Sequence, residues 1–186
     1  MASTVATRDR IPFRVHPRVF AALGADLVTN DVVAVIELVK NSYDAMATRV
    51  DVIFRADSDG KPFMEIGDNG LGMSREILDK AWSVVATPYR TTHAVETLGK
   101  KNRRASGEKG LGRLSAARLG KQLQMYTKAA GNPCWLVEVS WSDLAQQDAL
   151  DDCEATCKSV SGTNCPIAST GTKLRILDLE IGRAHV

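Results

Sequence analysis

Glu37, Asn41 and Asp44 recur at i, i+4 and i+7 within NDVVAVIELVKNSYDAMA, residues Asn30 to Ala47. On a helix that spacing stacks a carboxylate, an amide and a second carboxylate along one face. Such oxygen groups suit the ligation of Mg²⁺ and the orienting of a water, and they equally suit a plain solvated face. On the other side Val32, Val35, Ile36, Val39, Tyr43 and Met46 form an apolar stripe expected to bury. Thr29 or Asn30 is the expected cap, with Asp31 favourable near the positive end of the helix dipole.

A third carboxylate arrives by a different route. Arg49 to Arg55 alternates Val50, Val52 and Phe54 against Arg49, Asp51 and Arg55; DSDG at residues 57–60 turns the chain, and Lys61 to Gly67 returns it as a second strand. Met64 and Ile66 share one face of that strand, and period 2 carries the face on to Asp68. An acid in phase with buried residues needs a partner. It opens Asp68-Asn69-Gly70-Leu71-Gly72-Met73, a glycine-rich turn before a helix capped by Ser74 with Ile77, Leu78, Ala81 and Trp82 inward. A half-buried carboxylate beside glycines can accept a hydrogen bond from an exocyclic amine, such as that of adenine, while a flat ring approaches the backbone.

Two further segments carry glycines where a ligand would meet backbone. Gly107-Glu108-Lys109-Gly110-Leu111-Gly112-Arg113 opens a helix through Leu114, Ala117 and Arg118 that Gly120 ends. Backbone N–H groups at such a start attract an anion. The spacing is neither that of a P-loop nor that of a dinucleotide-binding turn. Ahead of it, Ala86 to Arg104 has no sustained period, as expected of a lid or a disordered loop; its basic end is solvated or reaches phosphates, and His93 is expected to be solvated.

The remaining chain supplies scaffold. Lys121 to Lys128 and Cys134 to Trp141 read as a strand pair, Ser142 to Thr170 as loop or short helices, and Gly171 to Leu177 as a closing strand. Pro17 to Gly24 reads as a short helix preceded by an arm. At 186 residues, 44% hydrophobic and 25% charged, this is the composition of one globular domain. A net charge of +2 gives no argument for nucleic acid or an acidic membrane, no apolar run spans a bilayer, and no signal peptide is visible, so a cytoplasmic location is expected. Cys134, Cys153, Cys157 and Cys165 lack paired CxxC knuckles and a nearby His, and free thiols are expected.

Taken in order, E-L-x-x-N-x-x-D-A at Glu37 to Ala45, D-x-G-x-G at Asp68 to Gly72, G-x-x-G-x-G at Gly107 to Gly112 and G-T at Gly171-Thr172 resemble the four motifs of the Bergerat-fold (GHKL) ATPases. That superfamily takes in DNA gyrase B subunits, ninety-kilodalton heat-shock chaperones, histidine kinases and MutL mismatch-repair proteins. The resemblance runs from about Pro17 to Leu179 and implies an α/β two-layer sandwich: a mixed, mostly antiparallel sheet with helices on one face and an ATP lid. By resemblance, Glu37 is the general base that orients water, Asn41 the Mg²⁺ ligand, and Asp44 a second acid of less certain role. Asp68 is the acceptor for the adenine amine, supported by Thr172 directly or through a water, with Gly70, Gly72 and Met73 at the base pocket. Gly107, Gly110 and Gly112 wrap the phosphates as part of the lid, with Leu111 among them; Lys109 and Arg113 add charge near the phosphates or are solvated.

The resemblance implies ATP and Mg²⁺ as cofactors, slow hydrolysis coupled to lid closure, and an ATP-dependent homodimer, with the client or effector open. The GEKGLGRLSAARLG stretch is most similar to bacterial heat-shock-chaperone-like ATPases. A nucleotide-gated binding module with little turnover is the alternative; a histidine-kinase catalytic domain is disfavoured by Glu37, since such kinases generally lack an acid there. The expected organisation is an arm over residues 1–16, an ATP-binding domain over 17–180 with its lid at about 86–112, and a tail over 181–186. That tail, IGRAHV, resembles a translated sequencing adapter at a truncated end. Hydrolysing relatives usually add a γ-phosphate-contacting Lys from a second domain, which this sequence does not contain.

Overall fold

A computed structural model of the chain describes residues 30–82, 112–148 and 153–181. The first described element is α1 (Asp31–Asp44), capped by Asn30, whose side-chain oxygen accepts the Val33 N–H at 2.9 Å. Two strands follow, β1 (Val50–Ala56) and β2 (Pro62–Asp68), paired antiparallel from Val50 opposite Asp68 to Ala56 opposite Pro62. Asp57 shapes the turn between them: its carboxylate accepts the backbone N–H groups of Asp59 and Lys61.

A short helix, α2 (Arg75–Ile77), capped by Ser74, runs into a wide turn over Leu78–Trp82. Next come α3 (Gly112–Leu119), β3 (Gly120–Lys128) and β4 (Cys134–Ser140). A one-turn helix α4 (Trp141–Leu144), β5 (Thr156–Val160) and β6 (Gly171–Leu179) complete the described elements. The six strands form one sheet in the order β1-β2-β6-β3-β4-β5. Every pairing in it is antiparallel, so the expected mixed sheet contains no parallel pair among the described residues. β5 lies within the stretch expected to be loop or short helices. Its sequence, TCKSV, holds no run of large apolar residues because it pairs along only one edge and lies half in solvent.

Strand alternation divides the sheet into two unlike faces. The helix-side face buries Met64 and Ile66 of β2, Leu123 and Met125 of β3, Val137 and Val139 of β4 and Ile176 of β6 against Ala34 and Leu38 of α1 and Ala116 and Leu119 of α3. Burying such side chains is the main favourable term, roughly 1.5–3 kcal/mol for each large one. The two long helices pack on each other, and the Arg118 guanidinium reaches Asp31 at 3.2 Å.

The buried face of α1 is not the expected one. Ala34, Leu38 and Ser42 point into the core, whereas Val32, Ile36 and Tyr43 are 67%, 46% and 46% exposed. The small side chains of Ala34 and Ser42 let the helix axis approach its neighbours; a stripe ranked by side-chain hydrophobicity passes over them. Likewise Val52 and Phe54, in phase with the buried side of β1, remain exposed on this edge strand.

Candidate functional site

The helix-side face of β2 ends in Asp68, two residues beyond Ile66, where the sheet meets the C-terminal half of α1. Three donors converge on its carboxylate. Oδ1 accepts the Gly70 N–H at 2.9 Å and the Thr172 N–H at 3.1 Å, and Oδ2 accepts the Ser42 hydroxyl at 2.9 Å. Thus β2, the turn after it, the start of β6 and α1 all meet at one side chain. None of these donors is a cation. Burial pushes the Asp68 carboxyl above its ordinary value of 3.8, and the hydrogen bonds from Gly70, Ser42 and Thr172 offset that only in part. A carboxylate oxygen accepts about two hydrogen bonds, so Oδ2, which takes one from Ser42, retains capacity for a further donor.

The backbone around Asp68 is packed too closely for side chains at Gly70, Gly72 and Gly171, where a Cβ would lie within 2.4 Å of a backbone oxygen. Gly72 has φ +65°, and a Cβ there would lie 2.0 Å from the Lys128 carbonyl oxygen. Gly171 has φ +137°, and a Cβ there would lie 2.0 Å from the Asp68 carbonyl oxygen. Glycine at these positions lets the turn after β2 pack against the paired ends of β3 and β6. Gly70 is buried and donates to Asp68, while Leu71 N–H reaches back to the Ala45 carbonyl at 2.8 Å, closing the turn onto the end of α1.

Met73 is half-buried against the core, and its N–H donates to Thr127 Oγ1 at 2.8 Å. Thr127, fully buried on β3, shares a 3.1 Å hydrogen bond with Thr172 Oγ1. Asn69 ties the turn to β1 by accepting the Thr48 and Arg49 N–H groups, each at 2.9 Å. Ser42 and Thr127 were not among the residues singled out from sequence. The signal for Thr127 was a polar residue in phase with buried Leu123 and Met125; that for Ser42 was a position one turn after Leu38 on the buried face.

Glu37, Asn41 and Asp44 are half-buried along α1, beside the face that carries Leu38 and Ser42. Asn41 directly precedes Ser42, so it lies about 100° around the helix from the residue holding Asp68. Glu37 is one turn earlier, about 6 Å along the axis. Its Oε1 accepts from Lys40 Nζ at 2.6 Å. The helix therefore places the Ser42 that holds Asp68 within about a turn and a half of the Glu37–Asn41 pair. Gly107, Lys109, Gly110 and Leu111 lie outside the described residues, as does the stretch 86–111 of the expected lid; Gly112 is the first residue of α3.

The donor set fits an adenine nucleotide with a divalent cation. Asp68 offers an anionic acceptor in a buried setting, and Asn41 offers the single amide oxygen that Mg²⁺ tolerates when substrate phosphates and waters complete its shell. Among the described residues no three His, Cys, Asp or Glu side chains cluster to hold a metal by themselves. No helix among them is long and apolar enough to cross a membrane.

Comparison with known proteins identifies the family. The family model described as histidine kinase-, DNA gyrase B- and HSP90-like ATPase matches residues 29–172. The DNA mismatch repair protein MutL of Fervidobacterium nodosum is 45% identical over 51 residues, which is 27% of this chain and 8% of that protein. MutL of Beijerinckia indica is 36% identical over 77 residues, 40% of this chain and 12% of that protein. The aligned stretches thus span about a tenth of the length of these curated relatives. The chain belongs to the histidine kinase-, DNA gyrase B- and HSP90-like (GHKL) family, as a nucleotide-binding ATPase domain of the Bergerat fold.

Proposed function

We propose that the domain binds Mg-ATP at Asp68 and hydrolyses it slowly, with Glu37 as the general base, to drive a conformational change in a larger assembly. The observation that carries this reading is the half-buried Asp68 carboxylate, held by three neutral donors, with a second lone-pair direction on Oδ2 for another. The exocyclic amine of adenine is a neutral donor of the right kind, and its N1 and ring edge would lie toward Thr172 and the turn at Gly70 to Met73.

Glu37 contributes downstream of binding. Lys40 engages Oε1, and the proposal uses Oε2 to take a proton from a water as that water attacks the γ-phosphorus. The bond between the γ-phosphorus and the β–γ bridging oxygen breaks, leaving ADP and inorganic phosphate. Asn41 would hold Mg²⁺, which when bound offsets phosphate charge. Gly107, Lys109, Gly110, Leu111 and Gly112 are proposed to enclose the phosphates, and Asp44 to support the same helix face. A cytoplasmic setting and ATP-dependent self-association belong to this proposal too; the likeness to mismatch repair proteins covers 27% and 40% of this chain and assigns no client.

The test pairs calorimetric titration of Mg-ATP with phosphate release for the wild type and Glu37→Ala. The expected outcome is affinity unchanged within about threefold and turnover reduced by about 100-fold or more. Undiminished turnover in the variant would remove Glu37 from the role of base.

A further inference from the structure

Two cysteines meet on the open face of the sheet, away from the helices. Cys134 begins β4, opposite Lys128 of β3 and Val160 of β5. After Val160 the chain turns through Gly162–Asn164, where the Cys165 N–H donates to the Gly162 carbonyl at 3.1 Å, and folds back over the sheet. Val160 and Cys165 both pack on a small buried cluster formed by Tyr126, Cys134, Leu136 and Ile167. The return packs Cys165 against the cluster that holds Cys134, making the two thiols neighbours, and Cys165 Sγ–H donates to the Ile167 carbonyl at 3.3 Å. Cys134 is 3% exposed, whereas Cys165 is half-buried.

We propose that Cys134 and Cys165 form a reversible thiol–disulfide pair, closed by a low-molecular-weight disulfide, that clamps the connector leading into the nucleotide site. The Cys165 thiolate attacks one sulfur of the reagent RSSR; the S–S bond breaks, one RS⁻ leaves, and Cys165 carries a mixed disulfide. The Cys134 thiol then loses its proton and attacks Cys165 Sγ, expelling the second RS⁻. The two cysteine thiols are oxidised, RSSR is reduced, and their two protons end on two RSH molecules. Exposure gives the order of events. Burial and then the adjacent Cys165 push the Cys134 thiol up to about 12, so it serves as the slow, resolving partner.

The clamp falls at the start of a short connector. Pro166 to Thr170 run from Cys165 to Gly171, with buried Ile167 and a hydrogen bond from Lys128 Nζ to the Ala168 carbonyl at 3.3 Å along the way. Directly after it, the Thr172 N–H donates to Asp68. Fixing Cys165 to the sheet restricts the excursions by which Thr172 would leave Asp68. This consequence for nucleotide rests on the adenine reading of Asp68; formation of the disulfide does not.

The experiment treats the reduced chain with oxidised glutathione, quenches with acid and alkylates, then maps peptides by mass spectrometry. Amide exchange over residues 166–172 and Mg-ATP titration are measured on both forms. A Cys134–Cys165 linked peptide as the dominant product, reversed by dithiothreitol and absent from Cys165→Ser, is expected. So are exchange slowed at least threefold and Mg-ATP bound at least threefold more tightly. Glutathione adducts at Cys153, Cys157 or Cys165 without the link would overturn the pairing. A link with unchanged exchange overturns the clamp, and slowed exchange with unchanged affinity overturns its coupling to nucleotide. Failure of the reduced protein to bind Mg-ATP would instead strike the adenine reading, while the linked peptide is judged by mass alone.

Discussion

Glu65 and Asp68 lie three residues apart on β2 and point to opposite faces of the sheet. Glu65, 4% exposed on the open face, is ringed by cations: Arg175 at 3.1 Å, Lys173 at 3.1 Å and Arg55 at 3.7 Å. Arg175 in turn lies over the rings of Tyr126 and Phe63. Burial pushes the Glu65 carboxyl up, but hydrogen bonds and charge from Lys173 and Arg175 together outweigh it and hold the group below its ordinary 4.5. Asp68 has no cation beside it among the described residues that the same effects would draw on, only a hydroxyl and two backbone N–H groups. One carboxylate is balanced by cations; the other is held by neutral donors alone, which leaves its charge costly and makes it the candidate to meet a ligand's donor.

The sharpest way to separate the two is Asp68→Asn. The amide keeps an oxygen for the Gly70 and Thr172 N–H groups, and the Ser42 hydroxyl can turn to accept from the new NH₂. The buried charge vanishes, so the ligand-free protein should melt no lower, and by up to about 1 kcal/mol higher. The NH₂ now faces the adenine amine, donor against donor, and Mg-ATP affinity should fall about 100-fold or more by calorimetry. A variant that binds normally would detach Asp68 from the adenine.

Glu65→Gln should do the reverse. Three cations lose their shared anion, and stability should fall by about 2 kcal/mol, less than for a wholly buried pair because the cations retain contact with water. Mg-ATP affinity should stay within twofold. The pH dependences also oppose each other. A lowered folded-state value means that Glu65 stabilises fully above 4.5 and that this contribution is lost as pH falls through the folded value. A raised value means that ionised Asp68 weakens the fold at neutral pH, and the penalty fades as pH falls through that value and is gone below 3.8. Denaturant titrations from pH 7 to 3 should therefore show the Glu65→Gln deficit shrinking only below 4.5. The Asp68→Asn advantage should begin to shrink at higher pH, while Mg-ATP binding by the wild type weakens over the same range as Asp68 gains a proton.

The contrast also explains what was legible in the sequence. Asp68 was visible because period 2 through Met64 and Ile66 put an acid in a buried phase, and the glycines after it marked a tight turn. The Glu65 cluster was not, because Arg55, Lys173 and Arg175 come from three strands whose order depends on tertiary pairing, with β6 inserted between β2 and β3. Residues 121–128 and 134–140 alternate strongly and read correctly as a strand pair; β5, with Thr156 and Lys158 turned toward water, carries too little apolar contrast to register. On α1 the polar trio was found and the buried face was misread, since Ala34 and Ser42 bury by being small. The motif order brought Glu37 and Asn41 onto the helix that holds Asp68, although periodicity alone left that face indistinguishable from a solvated one.

The smallest expected effect asks whether Ser42 belongs to the site or merely to the packing of α1. Its hydroxyl is the only side-chain donor to Asp68 shown among the described residues, and it fixes Oδ2 while the backbone fixes Oδ1. Ser42→Ala should weaken Mg-ATP binding about fivefold, near the 1 kcal/mol of one ordinary hydrogen bond, and lower stability by a similar amount. Because burial already raises Asp68, losing this donor should move its protonation further up, so the acid loss of nucleotide binding should begin at higher pH than in the wild type. The same substitution in the Asp68→Asn background separates the explanations. If Ser42 acts through the carboxylate, its effect on affinity should largely disappear there, giving a coupling of about 1 kcal/mol. If the fivefold loss persists undiminished, Ser42 influences binding through the position of α1, and the hydroxyl has no part in presenting Asp68.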